Sequence, residues 1–279
     1  MPVSTARPRE SFDAALPPDA LRVRVPRLDR MSAEDWAAAA GPFDRYGAVV
    51  LSGEVAVPAR DALLALAPAL GPDPSTAARE QDGVLEIHGV REVFDYGAGD
   101  AALFPEHPLH TDGLAGGRPV MAMALQCEIA EARGGFSEIA SARRLHAELA
   151  ARDPAALAGL FAPDAFTVRV RDRVQPSPVF EWMGGRLAMR LKPPRYAEVS
   201  VSPGAAAGMA LLQALLDEAR MRVELRLQPG EILLADNTAV LHGRTPMPRD
   251  GVRKLNRLLF DGTGAVAPAL TFGFLPEAA

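Results

Sequence analysis

His110 and Asp112 stand two residues apart in LHTDG, and a strand at this point turns both side chains to one face. An imidazole and a carboxylate converging there supply two ligands for a borderline divalent metal. A third must come from far along the chain, and His242, in LLADNTAVLHGRTP, is the natural candidate. Two histidines and one carboxylate on one face of an octahedron leave three positions open, the ligand set of non-haem Fe(II) oxygenase sites. Those positions suit a bidentate 2-oxo acid and dioxygen. The pair alone says little, because the chain has five histidines and 35 acidic residues, and ordinary hydrogen-bonded side chains meet the same spacing.

More weight lies beyond His242. Arg253 follows it by eleven residues at the start of a strand pattern, and Arg257 lies four further on. In a strand, Arg253, Leu255 and Arg257 share a face, so both guanidiniums can enter one cavity. A guanidinium meets a carboxylate with two parallel hydrogen bonds, and a buried cation needs such a partner. The distal carboxylate of 2-oxoglutarate would serve. Two solvated arginines at a strand edge remain the plainer alternative, since Leu258, Leu259 and Phe260 could make the opposite face the buried one.

At these residues the sequence resembles the clavaminate synthase-like group, the TauD/TfdA family of Fe(II)/2-oxoglutarate dioxygenases. The resemblance rests on LHTDG, then DNTAVLHGRTP, then VRKLNRLLF, with PGE before the strand that leads to Asp236-Asn237. It implies a mainly β fold with peripheral helices, a double-stranded β-helix or jelly roll. It implies that His110, Asp112 and His242 bind Fe(II) and that Arg253 holds the distal carboxylate of 2-oxoglutarate. Ser137, in Gly134-Gly135-Phe136-Ser137, stands where the family commonly has a threonine whose hydroxyl helps hold that carboxylate; a helix N-cap before Glu138 is the other use of such a serine. Arg257 matches an arginine that contacts an acidic group of the main substrate in several members.

The implied reaction is oxidative decarboxylation of 2-oxoglutarate with O2 to succinate and CO2, coupled to hydroxylation of an unactivated C–H bond. A small acid such as a free amino acid fits Arg257. Asp95 and Glu106, with His107, lie in Val93–Leu109 ahead of the metal pair and are candidates for substrate contact or for solvated loop positions. Because Asp112 is present, hydroxylation is favoured over halogenation. Desaturation, epoxidation or cyclisation would use the same iron site. A cupin-like metal enzyme without a 2-oxo acid, which would not need Arg253, and a non-catalytic jelly-roll binding module are the rival readings.

The elements that must position these residues read as many short strands with a few helices. Ser32 with Glu34 and Asp35 marks a helix start, and Tyr46–Leu51 is a strand bounded by glycines. Pro58–Leu70 reads as a helix, Val84–Val90 and Pro119–Cys127 as strands, and Glu138–Arg152 as an amphipathic helix. Phe166–Val170 alternates. Val179–Met183 and Arg186–Leu191 flank Gly184-Gly185 as a hairpin. Pro203–Arg220 reads as one long helix, and Arg222–Leu227, Glu231–Ala235 and Arg253–Phe260 as strands. No strand–glycine loop–helix unit of the dinucleotide-binding kind appears.

Composition bounds the rest. Residues 1–279 read as one catalytic domain, with 1–20 as a flexible N-terminal arm. A net charge of -5 gives no basic excess for nucleic acid. With Cys127 the lone cysteine, no internal disulfide can form, and a reducing, cytoplasmic setting is expected. No apolar run approaches the ~20 residues of a membrane span. The expected partner is a small-molecule substrate.

Overall fold

The computed structural model describes residues 9–55, 59–73, 82–88, 103–113, 119–170, 173–194 and 197–277. In chain order the elements are β1 (Arg22–Arg27), α1 (Ala33–Tyr46), β2 (Ala48–Glu54), α2 (Ala59–Leu64), α3 (Ala67–Leu70), β3 (Leu85–His88), β4 (Leu103–Phe104) and β5 (His107–His110). Next come β6 (Ala122–Ile129), β7 (Ser137–Ser141), α4 (Ala142–Arg152), α5 (Pro154–Gly159), β8 (Phe166–Val170) and β9 (Arg173–Ser177). They are followed by β10 (Phe180–Met183), β11 (Arg186–Met189), β12 (Glu198–Val201) and α6 (Ala206–Asp217). The chain then returns through β13 (Val223–Leu225), β14 (Ile232–Asp236), β15 (Val240–Arg244), β16 (Met247–Pro248) and β17 (Lys254–Phe260).

Two sheets carry the site. A six-stranded sheet runs β1-β2-β14-β6-β17-β3, and a four-stranded sheet runs β13-β7-β15-β5. Leu125 and Cys127 of β6 and Leu255 and Leu259 of β17 pack in one core with Ile139, Val223, Leu225 and Val240 of the small sheet. The sheets therefore face each other as a sandwich, the double-stranded β-helix. The large sheet's other face buries Ala122, Ala124, Leu258 and Phe260 under Trp36, Phe43 and Leu63 of the helices. Both faces of β17 are thus covered, so its last three residues, Leu258–Phe260, are hydrophobic without alternation. The small sheet's back packs on the insertion of α4 to α6 and β8 to β12, through Leu145, Phe166, Phe180 and Leu212.

Some expectations need revision. The segment Glu138–Arg152 is not one helix: Ser137–Ser141 is a fully buried strand between β13 and β15, and the helix begins only at Ala142. Pairing on both sides overrides the local helical pattern. Pro58–Leu70 resolves into two short helices, α2 and α3, and α6 is shorter than Pro203–Arg220. From Arg9 onward the N-terminal segment is no loose arm. Arg9 is buried and paired with Asp236, and Phe12 joins the inter-sheet core. A buried cation with a carboxylate partner fixes the chain where composition suggested freedom.

The helix start is as the sequence indicates. Ser32 and Asp35 form a reciprocal capping box at α1, which presents Trp36, Ala39, Phe43 and Tyr46 to the interior. No helix among the described residues is long and apolar enough to cross a membrane.

Candidate metal centre

Strands β5 and β15 pair antiparallel with His242 directly opposite His110, and the two rings lie 4.3 Å apart by centroids. The next pair in register is Arg244 with His107, so two residues of β5 oppose Gly243 alone. That is a β-bulge. It requires glycine, because a Cβ at position 243 would stand 2.6 Å from the His107 carbonyl oxygen. The bulge leaves the His107 ring edge-on to His110, 4.8 Å between centroids.

Asp112 arrives differently from the expected strand face. Strand β5 ends at His110. Thr111 is stitched to Leu191: its N–H donates to the Leu191 carbonyl at 3.0 Å, and its hydroxyl accepts the Leu191 N–H at 3.0 Å. Asp112 then sits in a bend, before Gly113 at φ +87°. The carboxylate nonetheless reaches both imidazoles. Asp112 Oδ2 lies 3.4 Å from His242 Nε2, and Oδ1 lies 4.0 Å from His110 Nε2. Ligand atoms of all three residues fall within 4.8 Å of one another, and all three residues are buried.

The donor set fits an ion. His110 Nδ1 is 2.9 Å from the Pro108 carbonyl, which can only accept. That bond places the ring proton on Nδ1 and leaves the Nε2 lone pair toward the centre. Burial and the neighbouring imidazoles hold His110 well below its ordinary pKa, so it stays neutral. For Asp112, burial opposes ionisation, but the Arg257 guanidinium and the His242 imidazole outweigh it and hold the carboxyl well below the carboxylate range. Asp112 Oδ2 is buried without a hydrogen-bond partner among the described residues. A neutral His110 imidazole, a second imidazole from His242 and an ionised Asp112 carboxylate with one oxygen buried and without a hydrogen-bond partner make a donor set that fits a divalent cation.

Arg257 and Arg253 extend the site along β17. Arg257 stands on the inner face between Leu255 and Leu259 and donates through Nη1 to Asp112 Oδ1 at 2.7 Å. Arg253 precedes the strand, next to a register shift between Lys254 and Leu255 against β6. It ends in a cavity of about 290 Å3 lined with Cys127, Gly135, Phe136, Ser137, Leu225 and Leu255. Its Nη2 donates to Ser137 Oγ at 3.2 Å. No carboxylate pairs with it among the described residues. Burial and the nearby Arg244 push its guanidinium down to about 10, so it is still a cation at neutral pH.

Ser137 therefore opens β7 and faces Arg253 instead of capping a helix. It pairs with Arg244, two residues along β15 from His242, so the cavity begins about 7 Å along the sheet from the metal histidines. Glu106 accepts from Arg222 Nη1 at 3.3 Å, a partner on the small sheet's edge. Asp95 lies outside the described residues. Burial pushes His107 down to about 3, helped by His242 and Arg244, so its ring is neutral. Two contributors went unread in the sequence. Cys127 lines the cavity as a neutral thiol, pushed up to about 11 by burial. Asn237 holds the Asp112 backbone, and its Asp-Asn dipeptide marked the segment without revealing a task.

A facial set of two histidines and an aspartate, set between the sheets of a double-stranded β-helix, defines a non-haem Fe(II)/2-oxoglutarate-dependent oxygenase. Residues 8–259 match the family described as "Taurine catabolism dioxygenase TauD, TfdA family", and the chain belongs to that family. An asparagine oxygenase, solved with Fe(II), 2S,3S-3-hydroxyasparagine and succinate, is 19% identical with a TM-score of 0.58, over 86% of this chain and 93% of that one. PvcB from Pseudomonas aeruginosa is 21% identical with a TM-score of 0.60, over 86% and 84%. A taurine dioxygenase from Burkholderia xenovorans is 16% identical with a TM-score of 0.59, over 91% and 88%. At these identities the likeness is one of fold. Comparison with curated proteins finds no match.

Proposed function

We propose that this oxygenase hydroxylates an unactivated C–H bond of a small acidic substrate, such as a free amino acid, while converting 2-oxoglutarate to succinate and CO2. One observation carries the acidic part. Arg257 is the cation that reaches the metal carboxylate, and its side chain is 22% exposed beside an Asp112 that is 5% exposed. It is placed to meet an anion arriving at the metal, whereas Arg253 turns into the cavity beside Ser137.

In this reading His110 and His242 hold Fe(II) through Nε2 and Asp112 through its carboxylate. Bound iron and 2-oxoglutarate supply the oxidising chemistry. The chain's own residues bind, orient and exclude water. Arg253 and Ser137 take the distal carboxylate of 2-oxoglutarate, because a part-buried cation whose side-chain hydrogen bond goes to a hydroxyl favours an anion beside it. Cys127, Leu225 and Leu255 line part of the same cavity with uncharged surface. Arg257 then fixes the substrate's acid group and with it the bond presented to the metal. The asparagine oxygenase of the same fold, whose structure holds a hydroxylated amino acid, supports an amino acid as the first class to try. The complete ligand set counts against a non-catalytic module, and Arg253 against an enzyme without a 2-oxo acid. Desaturation, epoxidation or cyclisation would draw on the same residues.

The test is a screen of amino and sulfonic acids for succinate release after anaerobic loading with Fe(II) and 2-oxoglutarate and exposure to air. An active free acid should lose activity as its ester or amide. An ester that stimulates succinate release as well as the acid would overturn the acidic-substrate reading.

A further inference from the structure

The carboxylate ligand is the one member of the triad outside a strand, so something else must aim it. The structure shows what holds it. Asp112 N–H donates to Asn237 Oδ1 at 2.8 Å, and Asn237 Nδ2 donates to the carbonyls of Asp112 at 3.1 Å and Val120 at 2.9 Å. The Asn237 backbone N–H also donates to the Met121 carbonyl at 3.0 Å. The side chain is buried, and its carboxamide has one orientation that works. Reversed, its NH2 would face an N–H and its oxygen two carbonyls.

These bonds tie Asp112 to Val120, and the two stretches lie close: a Cβ on Gly113 would stand 2.3 Å from Val120 Cγ2. The clamp is itself on rigid footing. Asp236 Oδ1 accepts from the N–H of Thr238 at 2.9 Å and its hydroxyl at 2.6 Å. The Thr238 carbonyl accepts from Met189 N–H at 2.8 Å, and the Ala239 carbonyl from Ala142 N–H at 3.0 Å. Five residues beyond Asn237 the same segment delivers His242.

We propose that Asn237 is a positioning residue of the metal centre, its carboxamide fixing the backbone of Asp112 and so the aim of the carboxylate. One short segment, residues 236–242, then supplies one ligand directly and sets a second through a side chain. The proposal rests on the assignment of His110, Asp112 and His242 as metal ligands. Outer-shell partners of ligands change metal affinity by about 10- to 100-fold, and Asn237 reaches its ligand through the main chain rather than the ligating atoms.

Co(II) titration of the metal-free full chain, with no 2-oxoglutarate or substrate present, tests this. Asn237→Ala should bind about 10- to 100-fold more weakly, with the circular dichroism of the parent. The same change in an Asp112→Ala background should cost less than about threefold, because the two act in series. Should the alanine variant not fold, Asn237→Ser keeps an acceptor for the Asp112 N–H and should show an intermediate loss. Parent-like affinity in a folded Asn237 variant, or an equal loss in both backgrounds, would overturn the proposal. A parent chain that binds no Co(II) would remove the ligand assignment and this proposal together.

Discussion

Arg253 just precedes β17 and Arg257 lies four residues on, in the middle of it; both turn into the space between the sheets, yet their surroundings are opposite. Arg257 ends on a carboxylate, at 2.7 Å from Asp112 Oδ1. Arg253 ends in a cavity, with a serine hydroxyl at 3.2 Å and no carboxylate paired with it among the described residues. A buried charge is expensive unless paired and hydrogen-bonded. Within the fold one guanidinium has a carboxylate partner and the other, among the described residues, has none. In the proposed reading Arg253 takes the co-substrate's carboxylate, while Arg257, bonded to Asp112 through Nη1, meets the substrate's acid with its partly exposed side chain.

Methionine at each position separates the two most widely. Arg253→Met should weaken 2-oxoglutarate binding by about 100-fold or more, since truncating one partner of a buried charge pair costs roughly 2–5 kcal/mol. Co(II) affinity should stay within about twofold. The same variant, free of ligand, should unfold a few degrees higher than the parent, because it removes a part-buried cation with no carboxylate partner among the described residues. Calorimetric titration with 2-oxoglutarate and a thermal melt in chelator read the two effects. Unchanged co-substrate affinity would erase the contrast between the arginines.

Arg257→Met should move stability the other way. It strips Asp112 of its cation, and the metal-free protein should lose about 1–3 kcal/mol at pH 7, the cost of an unsatisfied buried group, at the lower end because the Arg257 side chain is 22% exposed and screened. The sign with pH follows from Asp112. In the parent its carboxyl is held below the ordinary range, so its contribution is present above the unfolded pKa of about 3.9 and lost as pH falls through the depressed value. Without Arg257, burial raises that pKa, and the contribution is instead lost as pH rises. The stability gap between parent and variant should widen from about pH 3 to pH 7. Urea unfolding in chelator across that range reads it, and a constant gap would place the charge of Asp112 under some other control.

How much of this could be read beforehand differs between the ligands and what holds them. His110, Asp112 and His242 were legible because ligand chemistry limits residue type and the spacing repeats a family pattern. The two-layer β core was legible from short apolar runs between turn residues. What stayed hidden depends on pairing at a distance. Ser137–Ser141 looks helical until β13 and β15 flank it. Arg9 looks mobile until Asp236 arrives from the far end of the chain. Asp112 was expected on a strand face and instead hangs from Asn237, a bond between residues 125 apart. A polar side chain that serves another residue's backbone carries no local signature, so the triad was readable and its scaffold was not.

The smallest expected effect refines the Arg253 side of the comparison. Ser137 Oγ accepts one hydrogen bond from Arg253, and a neutral hydroxyl cannot compensate a guanidinium. It can only orient it. Ser137→Ala should therefore weaken 2-oxoglutarate binding by about 3- to 10-fold, the range of one hydrogen bond of roughly 0.5–1.5 kcal/mol, and leave Co(II) affinity unchanged. Ser137→Thr keeps the hydroxyl and should stay near the parent. If the alanine variant matched Arg253→Met in its loss, the hydroxyl would itself be a principal contact of the co-substrate, and Arg253 would be its support rather than the reverse.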